Sequence, residues 1–156
     1  MNVYFALKWL HIVSGTIIFG TGIGIAYFKW ITDCSADVRA IRIVSERTVL
    51  ADWIFTAPAV LVQPASGIAL MRVAGYPITA PWITWSLVLY AVAGACWIPV
   101  VLIQIRMREL ARAADEAGAP QPLQYWRHAR AWICLGTPAF GALIAVYWLM
   151  IAKPMT

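Results

Sequence analysis

His11 is the residue in this chain whose type and position best suit it to chemistry, because it interrupts an otherwise apolar, uncharged stretch. An imidazole can ligate a metal, exchange a proton or hydrogen-bond between helices. An ionisable group inside a membrane segment is costly to bury, and such residues are candidate functional residues. Helical spacing places Gly15 and Gly22 on the His11 face. We expect these glycines to leave a flat space beside the imidazole.

Two further polar side chains are expected at the depth of His11. Counted from the ends of their own apolar stretches, Gln63 and Tyr90 lie about as far into the membrane as His11 does. Polar groups at this depth must face protein or water, because lipid cannot satisfy them. Two interpretations stay open, which are hydrogen bonding between helices and the lining of a cofactor pocket.

The composition is that of an integral membrane protein. Hydrophobic residues make up 62% of the chain and charged residues 12%, against about 25% charged in soluble domains. Four long, nearly uncharged stretches each match the roughly 20 residues that a helix needs to cross a bilayer. The sequence therefore predicts an all-α, four-helix membrane bundle in a single domain, 1–156, with spans at about 4–30, 49–71, 82–106 and 130–152.

Local signals refine these spans. The residues after the first span recur at helical spacing, and we expect Asp33 or Ser35 to cap a helix that continues into the second span. Pro58 and Pro64 each remove a backbone hydrogen bond from that span and are expected to bend it. The third helix is predicted to start at Pro81 and to extend to residue 116.

The basic residues predict the orientation. The connections after the first and third spans carry nine of the twelve Lys and Arg residues, and the other side carries three. Cytoplasmic loops are enriched in Lys and Arg, so both termini are predicted to face outward, across a bacterial inner membrane. The net charge of +5 is explained by topology and does not predict nucleic-acid binding. The nine are Lys29, Arg39, Arg42, Arg47, Arg106, Arg108, Arg112, Arg127 and Arg130, and the three are Lys8, Arg72 and Lys153.

A second face of the first span is built from small residues. Thr16, Gly20 and Gly24 recur every four residues on the side opposite His11. Small residues at this spacing let membrane helices approach closely. We expect this face to pack against another helix, within the chain or in a homodimer.

Long runs of this sequence resemble a known family. The runs LADWIFTAPAVLVQPASG (50–67), GYPITAPW (75–82), AGACWIPVVLIQIRMREL (93–110) and WLMIAKP (148–154) resemble the bacterial predicted integral membrane proteins called domain of unknown function 2269. More distantly, LKWLHIVSG (7–15) and the run 126–132 are similar to HemJ, the haem-b-containing protoporphyrinogen oxidase. The CopD-like copper-resistance membrane proteins share a first-span histidine.

The similarity to HemJ implies a role for His11, which matches a functional histidine of that protein. HemJ also has a histidine and a lysine entering its third span, and residues 82–86 here include neither. The resemblance thus favours a haem b cofactor more than protoporphyrinogen oxidation. We expect a haem-binding redox or electron-transfer protein with His11 as metal ligand, Gly15, Gly22, Gln63 and Tyr90 around the cofactor, and a redox partner protein.

Two other interpretations remain. In the first, the chain is a non-catalytic structural or assembly subunit, and His11 only hydrogen-bonds between helices. The second is copper handling, which is less favoured because a second histidine and a methionine pair are missing at that depth. His128 is expected roughly 20 Å from His11 along the membrane normal, too far for one metal to bind both.

Overall fold

The computed structural model describes residues 2–154, which are mostly helical. Five α-helices follow one another along the chain, and the second and third are joined by a π-helical turn at Asp52–Thr56. The α-helices are α1 (Val3–Ser35), α2 (Val38–Ala51), α3 (Ala57–Val73), α4 (Pro81–Glu116) and α5 (Leu123–Ala152).

Four helical segments are long and apolar enough to cross a membrane. They are α1, the continuous segment Val38–Val73, α4 and α5. This finding confirms the prediction of an all-helical membrane protein with four spans. Large apolar side chains such as Trp9, Leu61 and Ile98 are exposed on the helices, as expected for surfaces that contact lipid.

The helix ends follow from local chemistry. Pro81 is the first residue of α4, where its missing N–H costs no hydrogen bond. Gly75 and Gly118, with φ of 74° and 59°, adopt the left-handed conformation in the turns after α3 and α4. The predicted cap of α2 is wrong, since the residue in that position is Asp37, whose side chain accepts a hydrogen bond from the Ala40 amide at 2.8 Å.

Asp33 is instead part of a buried charged group at the end of the bundle that lies away from the termini. Lys29 is only 3% exposed and donates to Asp33 at 2.6 Å, and the Tyr125 hydroxyl donates to the same carboxylate oxygen at 2.6 Å. Lys29 also hydrogen-bonds Tyr125. This network joins α1 to α5. Lys29 is therefore a packed residue of the interior, although its place at the edge of a span suggests an exposed lysine.

The main core lies at this same end. Ile41 of α2 packs there with α4 and α5, and the fully buried Tyr125 is at its centre. Closer to the middle of the bundle the helices form two pairs, α1 with α3 and α4 with α5, and only limited contact joins α1 to α5. Two cavities lined by residues from all four spans remain between the pairs.

Candidate functional site

His11 is held against α3 by hydrogen bonds at both ring nitrogens. Nδ1 lies 3.1 Å from the Gln63 carbonyl oxygen and 3.1 Å from the Ser66 hydroxyl oxygen. Because a carbonyl only accepts, this geometry assigns the ring proton to Nδ1. Nε2 is then an acceptor, and it lies 3.3 Å from the Gln63 side-chain nitrogen.

The Gln63 side chain is itself fixed by α1. Ser14 is buried and donates its hydroxyl hydrogen to Gln63 Oε1. This bond directs the amide nitrogen of Gln63 toward His11. The structure thus brings His11 and Gln63 together, and Ser14 is a member of the site that sequence reasoning missed. Its only sequence signal was its place beside Gly15 on the inward face of α1.

Glycines permit this close approach. A Cβ atom added at Gly67 would lie 3.0 Å from His11 Cε1, so the ring packs directly on the α3 backbone. A Cβ at Gly15 would lie 2.9 Å from the Tyr147 hydroxyl and 3.3 Å from Gln63 Nε2. Space beside Gly15 is therefore taken by protein side chains, and Tyr147 was not among the expected site residues.

The remaining expected residues lie at different points of the interior. In the described part of the chain, no atom lies within 4 Å of a Cβ built on Gly22. This glycine lines the cavity that Asp52 also lines, rather than the cavity beside His11. Tyr90 lines both cavities, and its hydroxyl donates to the Val60 carbonyl at 2.8 Å. Tyr90 is thus hydrogen-bonded to the α3 backbone about one helical turn before Gln63.

The His11 cavity is the space bordered by His11, Gln63 and Tyr90 at the end of the bundle that carries the termini. It has a volume of about 540 Å³, and most of its lining is apolar. Lys8 and Lys153 border it near that end. The Lys153 ammonium lies over the rings of Tyr76 and Trp82, 5.1 Å and 5.4 Å from their centroids.

Metal ligation would rest on His11 alone. Within residues 2–154, no group of three or more His, Cys, Asp or Glu side chains could hold a metal ion. His128 belongs to α5 and hydrogen-bonds through Nδ1 to the Gln124 carbonyl at 2.8 Å. The cysteines Cys34, Cys96 and Cys134 are all unpaired.

The small-residue face of α1 has no close neighbour from this chain at two of its positions. No atom lies within 4 Å of a Cβ built on Gly20 or Gly24 in the described part of the protein. Thr16 is exposed and hydrogen-bonds only its own helix, at the Ile12 carbonyl. A close neighbour within the chain was one of the two predicted arrangements, and at these glycines it is not found.

Comparisons with known proteins identify the family and go no further. Residues 5–154 match the family described as predicted integral membrane protein, DUF2269. No curated protein and no solved structure matches this chain, and the similarity to HemJ and to CopD-like proteins stays a prediction. Because the match covers nearly every residue, the chain belongs to the DUF2269 family of predicted integral membrane proteins.

Proposed function

We propose that this protein is a redox or electron-transfer component of the membrane that binds a b-type haem in the His11 cavity. The observation that carries the proposal is the hydrogen bond from His11 Nδ1 to the Gln63 carbonyl. Histidine ligands commonly give their second N–H to such a carbonyl, which fixes the ring and leaves Nε2 for the metal. A bound haem would supply one-electron chemistry at this position.

The residues around the cavity fit such a cofactor. A volume of about 540 Å³ falls in the range of small-molecule sites, roughly 300–1,000 Å³, and apolar walls suit a porphyrin. Lys8 and Lys153 supply positive charge for anionic groups at the cavity edge. The Gln63 amide nitrogen lies 3.3 Å from Nε2, so Gln63 would have to release that atom before iron could bind. Gln63 and Tyr90 would then be pocket groups.

Spectroscopy of the purified protein tests this proposal. Protein prepared in mild detergent, as isolated or after adding haemin, should show a Soret band that shifts on reduction. His11→Ala should abolish or strongly perturb the band, whereas His128→Ala should leave it unchanged, because His128 is not among the residues that line the cavity. A preparation that takes up no haem, or a band that ignores His11→Ala, contradicts the assignment.

A specific observation also favours a second candidate, a non-catalytic structural or assembly subunit. Both nitrogens of His11 already have partners on α3, so the imidazole acts as a clamp between two helices without any cofactor. In that role, His11→Ala lowers the stability of a colourless protein. Such interhelical hydrogen bonds are worth roughly 0.6–2 kcal/mol each.

The orientation and partners belong to the same proposal. The enrichment of Lys and Arg in the helix ends that flank the α1–α2 and α4–α5 connections supports termini on the outer, periplasmic side of a bacterial inner membrane. A second copy of the chain is proposed to cover the Thr16, Gly20 and Gly24 face, and a redox protein to exchange electrons with the haem. Contact with the lipid bilayer follows from the four apolar spans.

A further inference from the structure

We infer that the protein has a second binding site, for an organic ammonium ion with an apolar body, in the cavity beside Asp52. This Asp52 cavity lies between the helix pairs, on the side of Tyr90 away from His11, and has a volume of about 520 Å³. The residues that carry this inference differ from those proposed to hold haem, so a failure of the haem proposal does not affect it.

Asp52 is a buried carboxyl group for which the described residues supply no counterion. It is the first residue of the π-helical turn, and its side chain is 6% exposed. Its Oδ1 accepts a hydrogen bond from Thr56 at 2.8 Å, whereas Oδ2 has no partner among the residues described. None of the ion pairs found within residues 2–154 includes Asp52. A buried carboxylate in this state is costly unless a cation or donor reaches it.

Gln104 of α4 lines the same cavity and has a second acceptor atom without a partner among residues 2–154. Its side chain is 5% exposed and interacts with Asp52, and its Oε1 likewise lacks a hydrogen-bond partner in the described part of the chain. Asp52 Oδ2 and Gln104 Oε1 would both be satisfied by a ligand that donates hydrogen bonds. An ammonium group supplies N–H donors and the positive charge that the carboxylate attracts.

The rest of the cavity fits the apolar part of such a ligand. Trp97 and Trp132 line it, and Trp30 borders it where α1 is exposed. Indole faces attract cations through their π-systems. The lining is dominated by apolar groups, and the cavity is only partly enclosed, so a ligand could enter from the membrane. The π-turn adds weight, because such turns often occur at functional sites.

A matched pair of rigid probes tests the inference, 1-adamantylamine and 1-adamantanol. The two have the same apolar body, and only the amine carries a positive charge at neutral pH. Titration calorimetry of the full chain in detergent should give a dissociation constant at least about tenfold lower for the amine, the ratio expected when a charged hydrogen bond is gained. Equal binding of the two probes, or no binding of the amine, overturns the inference.

Variants locate the binding. Asp52→Asn should raise the dissociation constant of the amine about tenfold, to the level of the alcohol. Glu116→Gln, which removes an exposed carboxylate at the end of α4, should not change it. Gln104→Leu should weaken binding more modestly and serves as the test if Asp52→Asn does not fold. Unchanged binding of the amine to the Asp52 variant, or to a folded Gln104 variant, contradicts the site. Loss of amine binding in His11→Ala, in which Asp52 is intact, contradicts it as well.

Discussion

Tyr90 of α4 donates its hydroxyl hydrogen to the backbone carbonyl of Val60 in α3, at 2.8 Å. In a regular helix this carbonyl would accept from the amide four residues later, but that residue is Pro64, which has no N–H. The tyrosine thus supplies the donor that proline removes. A proline can be kept inside a membrane helix when a neighbouring helix satisfies the freed group.

Tyr90→Phe should therefore destabilise the protein by about 1 kcal/mol, because the Val60 carbonyl loses its donor. The free energy of unfolding in mixed detergent micelles measures this loss. In a Pro64→Ala background, the restored amide can serve Val60, and the same change should cost close to nothing. Tyr27→Phe, at an exposed position on α1, is the control. An equal cost of Tyr90→Phe in both backgrounds would show that the hydroxyl does not act through Val60.

Gly67→Ala should cost about 1–3 kcal/mol of unfolding free energy, because the new methyl group would meet the His11 ring at 3.0 Å and overpack the contact. Displacing the ring also strains its bonds to Gln63 and Ser66. The same micelle titration measures the change. Gly141→Ala on α5 is the matched control, because a Cβ built there meets nothing within 4 Å among the described residues, and it should be neutral or stabilising. Indistinguishable stabilities for the two variants would contradict this description of the contact.

Gly20→Leu should convert a homodimer to a monomer while leaving the fold intact. Among residues 2–154, no atom beyond the local helix backbone lies within 4 Å of a Cβ at this position, so any effect reports on a second molecule. Light scattering with correction for bound detergent measures the mass. Gly141→Leu, at an exposed glycine of α5 with equally open surroundings, should leave the mass unchanged. A wild-type protein that is monomeric, or a dimer that survives Gly20→Leu, assigns this face to lipid.

Cys34 should resist an impermeant maleimide added to intact cells and react once the inner membrane is opened. It is exposed at the end of α1, so accessibility within the protein does not limit the reaction. Cys96 and Cys134 are replaced by alanine to leave one thiol. Thr79→Cys, in the turn between α3 and α4 and combined with Cys34→Ser, should label in intact cells. The reverse pattern of labelling would invert the proposed orientation.

The spans could be predicted from the sequence because hydrocarbon thickness imposes a minimum length of apolar helix. The start of α4 at Pro81 and its end at residue 116 were also predicted, since proline is favoured at the first position of a helix and residues that stop a helix follow its end. The cap of α2 at Asp37 was missed because several nearby residues can cap, and only the exact path of the chain decides among them.

The site was harder to predict than the helices. Periodicity placed His11 and Gln63 on inward faces, and the structure joins them. Periodicity does not specify how far helices tilt, which is why the space expected between Gly15 and Gly22 divides into two separate regions. Tyr147 fills the room beside Gly15 from a helix whose rotation no local pattern determines.

The π-helical turn at Asp52–Thr56 fixes the rotational register between the two halves of the long segment Val38–Val73. Because its hydrogen bonds run from i to i+5 rather than i+4, this turn holds one residue more than an α-helical turn. Winding the same residues as a regular α-helix would turn everything beyond them by about 100° relative to α2, and Gln63 and Ser66 would then no longer face His11. A relative that lacks one residue there and continues as a regular α-helix would keep the facing of Gln63 and Ser66, and with it the clamp, whereas a relative of equal length needs the π-turn.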